Sequence, residues 1–449
     1  MKITATILCV ILIVYLFTVD RKRSAGVSNA TWIPFIWLLF ATSRPISFWL
    51  NYWFHIGSYG GGSVEEGNAI ERLFLTVLII AGILVLRNRK VNWQELLAKN
   101  VWIWVFFAFA AISLSWSDYP FIALKRWFKT LGTIIMALVI LTEEKPYEAL
   151  CFILQRIAYV HLPLSVLFIK YYPGLGRVYH GTGAAIYAGV TNYKNSLGFL
   201  CMISCIYFVW NLLLNRWRET AARQNLHYSI YLIMLPMIAW LLYRSNSATA
   251  IACLAVAIVL LIVARQGEFA RYPGRIMALG AVVIFLYVIL EYVLVADINN
   301  FMISLLGRRP DLTTRVPMWE EILSMVKNPV VGYGFESFWL GNRADIIEQH
   351  WGIGIQAHNG YLDMYMNLGY IGSFMSLAYI LAGLKKIYHF FFKDYPNAIL
   401  RLCFAIVFIL SNWTENTFHM GNYMWLLLIL SIVNKPPLMY QDTSTRIQD

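Results

Sequence analysis

The chain has 449 residues, of which 59% are apolar, 16% aromatic and only 13% charged; soluble globular proteins carry roughly a quarter charged residues, so a water-soluble domain is excluded. The net charge of +12 is divided into short clusters between apolar runs rather than gathered in one solvated patch, which argues against a nucleic-acid partner. The six cysteines lie in or beside apolar runs with no paired loop spacing, so neither disulfides nor a thiolate metal site is expected.

Apolar runs in chain order predict an all-α polytopic membrane protein with about 12–13 transmembrane helices, at 3–19, 31–50, 73–86, 101–116, 121–141, 149–168, 191–213, 229–243, 248–264, 277–294, 361–384, 398–411 and 421–433. Lipid offers the backbone no hydrogen bonds, which is why the spans must be helical. The first run has one basic residue before it and the basic 21–23 cluster after it, where a cleavable signal would have small residues, and is expected to stay as an anchor. The organisation expected is an N-terminal bundle at 1–295, a long loop at 296–360, further spans at 361–434 and a polar cytoplasmic tail at 435–449.

Basic clusters at 21–23, 87–90, 216–223, 265–275 and 385–386 fall on alternate connections. The positive-inside rule makes that side the cytoplasm and turns the 296–356 segment outward. Against this rule, several basic residues fall on the outer face. Lys125, Arg126 and Lys129 follow Ser115-Trp-Ser-Asp-Tyr-Pro120, and either extend an anion-binding rim or snorkel to head groups. Arg177, Arg244 and Arg315 lie in three separate outer connections. Guanidinium forks fit phosphate oxygens in pairs, so a diphosphate at the lipid boundary would give all three a common partner; lipid head groups or helix C-termini would serve each alone.

In the long loop, Asn328-Pro-Val-Val-Gly-Tyr-Gly-Phe-Glu-Ser-Phe-Trp339 offers Tyr333 and Trp339 either for stacking on sugar rings or as interfacial anchors. His358 ends the loop at the start of a helix, where the dipole favours the neutral ring that a general base requires; a structural histidine is the alternative. Asp363 is a weaker candidate for its orienting partner. No phosphate loop and no Asp-x-Asp is present, and the eight histidines are scattered, so no nucleotide, metal or other cofactor is expected.

The order of Trp116-Ser-Asp-Tyr-Pro, Tyr193-Lys-Asn-Ser-Leu-Gly198, Arg244-Ser-Asn-Ser, Thr314-Arg315 before Trp319, Asn328-Pro-Val-Val-Gly-Tyr-Gly and His358-Asn-Gly-Tyr resembles the O-antigen ligase and polysaccharide polymerase superfamily of bacterial envelopes, over roughly 116–372. The resemblance implies an inner-membrane enzyme that moves a glycan from undecaprenyl pyrophosphate to an acceptor hydroxyl on the periplasmic side. The acceptor would be a growing glycan or a lipid A core, the reaction metal-independent and inverting, and other envelope-assembly proteins possible partners. It further implies that Arg177, Arg244 and Arg315 hold the pyrophosphate and that His358 is the base or orienting group. Lys125, Arg126, Lys194, Tyr333, Trp339 and Asn359 are the remaining substrate-binding candidates. The sequence departs from the pattern at Asn246, where relatives often carry a second cation. Exopolysaccharide-type members are the nearer likeness. The alternative, a transporter or flippase of lipid-linked sugars, would show in charges buried at mid-membrane, for which Arg156 and Arg401 are the candidates; a scaffold of an envelope assembly machine would need no Arg and His cluster.

Overall fold

The computed structural model describes all residues except 22–26, 57–67, 90, 180–184, 216–220, 289–314, 353–355, 419–421 and 435–449. The tail and the Gly307 to Thr314 stretch of the long loop therefore lie outside the described residues. Each predicted apolar run overlaps a helix, except that 31–50 is divided between two and 289–294 of the run 277–294 lies outside the described residues. In order these are α1 (Lys2–Arg21), α2 (Trp32–Ala41), α3 (Ile46–Phe54), α4 (Ala69–Asn88), α5 (Trp93–Lys99), α6 (Val101–Ile112), α7 (Pro120–Leu141) and α8 (Pro146–Tyr171). The single turn α9 (Pro173–Gly176) leads into a hairpin of β1 (Arg177–Tyr179) and β2 (Ala185–Tyr187). Then come α10 (Lys194–Trp210), α11 (Ala221–Ser245), α12 (Ala248–Ala264), α13 (Gly267–Arg271) and α14 (Gly274–Val288). The long loop holds α15 (Arg315–Ser324) and α16 (Asn342–Trp351), and α17 (Gly360–Phe390), α18 (Tyr395–Ser411) and α19 (Tyr423–Ile432) complete the chain.

The chain is an all-α polytopic membrane protein, but its helices are unequal. Among the described residues, five are long and apolar enough to cross a bilayer, or seven if each of two bent pairs is one span. The predicted count of about 12–13 treated every apolar run alike. The structure shows why they differ: α18 and α19 are only 17 and 10 residues long and lie largely buried in protein. The predicted run 31–50 bends by 77° between α2 and α3, where Pro45 follows Arg44; a proline disfavours helix for the residue before it. Arg44 is buried at this corner and donates to the Thr191 carbonyl.

Helix α8 is the hub, 83% buried over its apolar window and packed against α1, α2, α7, α10 and α11. Its Arg156 is enclosed by the rings of Phe17, Trp32 and Phe152, 3.5–5.3 Å from the guanidinium carbon. Arg401 likewise faces the Phe390 ring at 4.5 Å. Both mid-span arginines are thus packed against aromatic faces, which offset part of the cost of a desolvated cation.

Polar ties separate the two ends of the bundle. At one end Glu143 accepts from Ser28 Oγ at 2.7 Å and pairs with Arg89, while Lys386 Nζ donates to Asn100 Oδ1 at 2.7 Å. The described basic residues at 87–89, 265–275 and 385–386 lie at this end. Arg44, Arg177, Arg244, Arg315 and His358 all sit at the other.

Candidate functional site

The long loop is fixed before it presents anything. Helix α17 breaks at Gly369, whose φ of 62° and ψ of −163° only glycine adopts freely. The orphaned backbone groups at the break pair with the Asn328-Pro-Val-Val-Gly-Tyr-Gly segment: Tyr333 N and Gly334 N donate to the Met366 and Asn367 carbonyls, and Tyr370 N and Ile371 N donate to those of Pro329 and Val330. The two backbones approach so closely that a Cβ on Gly369 would stand 2.4 Å from the Val330 carbonyl carbon, and one on Gly332 2.6 Å from that of Asn367. Gly369→Ala is therefore expected to destabilise the protein by about 3 kcal/mol or more, measured as a lowered Tm in detergent; an unchanged Tm would show that the break tolerates a side chain.

The Trp116-Ser-Asp-Tyr-Pro segment clamps the same loop from α6. Ser113 Oγ accepts from Phe335 N at 2.9 Å, Ser117 and Ser337 share a hydroxyl bond of 2.6 Å, and Asp118 pairs with Arg343 at 2.7 Å. Arg126 donates to the Glu336 carbonyl, and Lys125 lies 4.6 Å from the Phe121 ring. Tyr333 and Trp339 are each only 7% exposed; the Tyr333 hydroxyl donates to the Met325 carbonyl, and Trp339 Nε1 to Asp363 Oδ1 at 2.6 Å. The structure thus assigns Arg126, Tyr333 and Trp339 to the scaffold rather than to an open sugar surface. The polar handle that makes such aromatics attractive for sugar binding is used internally here.

Elsewhere in the loop, Glu321 of α15 accepts from Trp351 Nε1 and His350 Nδ1 of α16, each at 2.7 Å. The Trp351 bond, aided by the one from His350, holds its carboxyl below the usual carboxylate range despite burial acting the other way.

What the scaffold presents is His358. Asp363 Oδ1 accepts from Ala357 N at 3.3 Å and the Trp319 indole donates to the Ala357 carbonyl at 2.8 Å, so Asp363 orients the backbone beside His358 rather than its ring. His358 itself is left-handed, with φ 51°, and Asn359 caps α17 by accepting from Tyr361 N and Leu362 N. Asn359 is therefore a helix cap. The imidazole Nδ1 faces Glu415 Oε2 at 3.6 Å, and the other oxygen of Glu415 accepts from Asn195 Nδ2 at 2.6 Å. Sequence reasoning missed Glu415 and Asn195; their only signals were one acidic residue in the short 412–422 connection and a place beside Lys194, which opens α10.

Arg315 donates through Nη1 to the Thr414 carbonyl at 3.1 Å, one residue from Glu415. The Thr414 hydroxyl in turn meets Thr249 at 2.7 Å in the first turn of α12, just beyond the Arg244-Ser-Asn-Ser turn, where Asn246 takes φ 46°. Asparagine tolerates this left-handed conformation, a physical reason for its presence there. Arg244 lies with its guanidinium carbon 3.8 Å from the Tyr187 ring centroid, and its buried Nε meets no acceptor among the described residues. Arg177 contacts the same ring at 5.6 Å, but its Nε and one terminal nitrogen both donate to the Ile169 carbonyl near the end of α8. Arg177 is thus in part a helix C-cap. Of the predicted residues, the structure brings His358 and Arg315 to Glu415 and Thr414, where Asn195 next to Lys194 also bonds, and Arg177 and Arg244 around Tyr187, with Thr249 just beyond the α11–α12 turn joining the groups. Arg126, Tyr333 and Trp339 belong to the clamp, and Lys125 lies against Phe121 of its own helix.

Two comparisons bear on this arrangement. Residues 230–377 match the model of the O-antigen ligase family, a segment that includes Arg244, Arg315 and His358. The chain is also 26% identical over 285 residues to the exopolysaccharide production protein ExoQ of Rhizobium meliloti (strain 1021), a match spanning 61% of this chain and 61% of that relative.

Proposed function

We propose that this chain, which belongs to the O-antigen ligase and polysaccharide polymerase superfamily, transfers a glycan from a polyprenyl diphosphate carrier to a sugar hydroxyl at the bundle end opposite the basic clusters. The observation that carries this reading is Arg244: a half-buried side chain whose Nε is itself buried and meets no acceptor among the described residues, where an unmade charged hydrogen bond costs a few kcal/mol. A diphosphate oxygen supplies the missing acceptor. Arg177 adds positive charge at the same ring, and Arg315 adds it at Thr414, whose hydroxyl meets Thr249 beyond the Arg244 turn.

In the reaction, the acceptor oxygen bonds to the anomeric carbon as the bond from that carbon to the diphosphate breaks. The electron pair leaves with the diphosphate, whose growing charge Arg244 and Arg315 neutralise. The hydroxyl proton passes to His358, and Glu415 beside it balances the imidazolium that forms. Diphosphate is already a good leaving group, so cations plus one base suffice, and attack from the face opposite the departing group inverts the anomeric centre. Within this reading we favour chain polymerisation over ligation to a lipid A core, because the similar Rhizobium protein is named for exopolysaccharide production.

Two experiments test the proposal. Cells lacking the protein should make surface polysaccharide of reduced chain length or amount, and an unaltered polysaccharide profile would contradict it. A cysteine placed at the exposed Lys327 should react with a membrane-impermeant maleimide in cells whose outer membrane alone is opened, since five of the six native cysteines are buried and one half-buried. Labelling only after the inner membrane is broken would reverse the assigned sidedness.

A further inference from the structure

The hairpin register sets Tyr187 directly across from Arg177, and strand β2 packs against α10 and α11. One ring therefore faces two guanidiniums, from Arg244 at 3.8 Å and Arg177 at 5.6 Å. Trp240, one turn earlier on α11, lies 5.9 Å from the Arg244 guanidinium carbon. A guanidinium stacked on a ring keeps its N–H donors in its own plane, directed past the ring edge rather than into it. The negative face of the ring also offsets repulsion between the two cations before any anion arrives. Tyr187 lies in no motif, and among the described residues its hydroxyl makes no hydrogen bond.

We propose that Tyr187 is a positioning residue, a π platform that fixes the plane of Arg244 so that its edge donors meet diphosphate oxygens. This rests on the reading of Arg244 as a diphosphate ligand. Arg177, anchored on the Ile169 carbonyl, acts as the fixed second cation behind the platform. The ring is required and the hydroxyl is not.

The test is titration calorimetry of inorganic pyrophosphate into the purified full-length protein, in parallel with donor KM and kcat. Tyr187→Phe should bind within about twofold of wild type. Tyr187→Leu should bind about tenfold more weakly, with a raised donor KM, and should add nothing further in an Arg244→Ala background. If Tyr187→Leu binds as wild type while Arg244→Ala does not, the platform is wrong and the role of Arg244 stands. If Arg244→Ala also binds as wild type, both fail. A Tyr187→Phe loss equal to that of Leu would assign the effect to the hydroxyl, and a Leu loss that persists without Arg244 would assign it to the fold; either overturns the proposal.

Discussion

His358→Ala is expected to lower kcat for glycan transfer by about 10²- to 10⁴-fold, the usual contribution of a positioned general base, equivalent to about 3–5 kcal/mol of barrier. Donor KM should change little, because in the proposed reaction the imidazole acts on the acceptor proton and not on the diphosphate. The fold should survive the substitution. The backbone around His358 is held by Asp363, Trp319 and the Asn359 cap, none of which uses the His358 ring. Alanine in the left-handed conformation at φ 51° costs on the order of 1 kcal/mol, so His358→Asn, which tolerates that conformation better, is the paired control. Transfer at the wild-type rate by either variant would remove His358 from the chemistry.

The second large effect belongs to Arg244. Arg244→Lys keeps the charge but loses both the planar fork and the stacking on Tyr187, and a lysine ammonium cannot reproduce a bidentate contact. Transfer should fall about 10²-fold, within the range found when one preorganised donor to a developing anion is removed. Arg315→Lys should lose less. Arg315 already gives one donor to the Thr414 carbonyl, so part of its role is to seat the 414–415 connection. The order of severity, Arg244 before Arg315, follows from which guanidinium nitrogen lacks an acceptor; equal turnover of wild type and Arg244→Lys would assign Arg244 to structure alone.

The sequence disclosed the architecture because apolar run length is local information: a run such as 248–264 needs no partner to declare itself, and its helix has those bounds. Functional placement is long-range and was legible only in part. Asn328-Pro-Val-Val-Gly-Tyr-Gly and Trp116-Ser-Asp-Tyr-Pro stood out as motifs, yet their purpose lies in contacts such as Ser117 with Ser337 and Gly332 with Asn367. Nothing in either segment alone says that it clamps a loop rather than binding a sugar. Tyr333 and Trp339 carried the correct chemistry for sugar stacking, and burial removed them from it. Arg177 is a similar case, because helix capping and anion binding ask for the same side chain. Glu415 and Asn195 left only faint signals and Tyr187 none: each is an ordinary residue until the fold places it beside His358, Glu415 or Arg244.

The account is tested most directly by following both products in one vesicle. Purified protein is reconstituted with a polyprenyl-diphosphate-linked glycan labelled in both its lipid and its sugar, together with an acceptor glycan and a metal chelator. The account predicts one free polyprenyl diphosphate released for each glycan added to the acceptor, at a rate the chelator does not change. Passage of the intact doubly labelled donor to the opposite leaflet, with no lengthened glycan, would show a carrier and contradict the account.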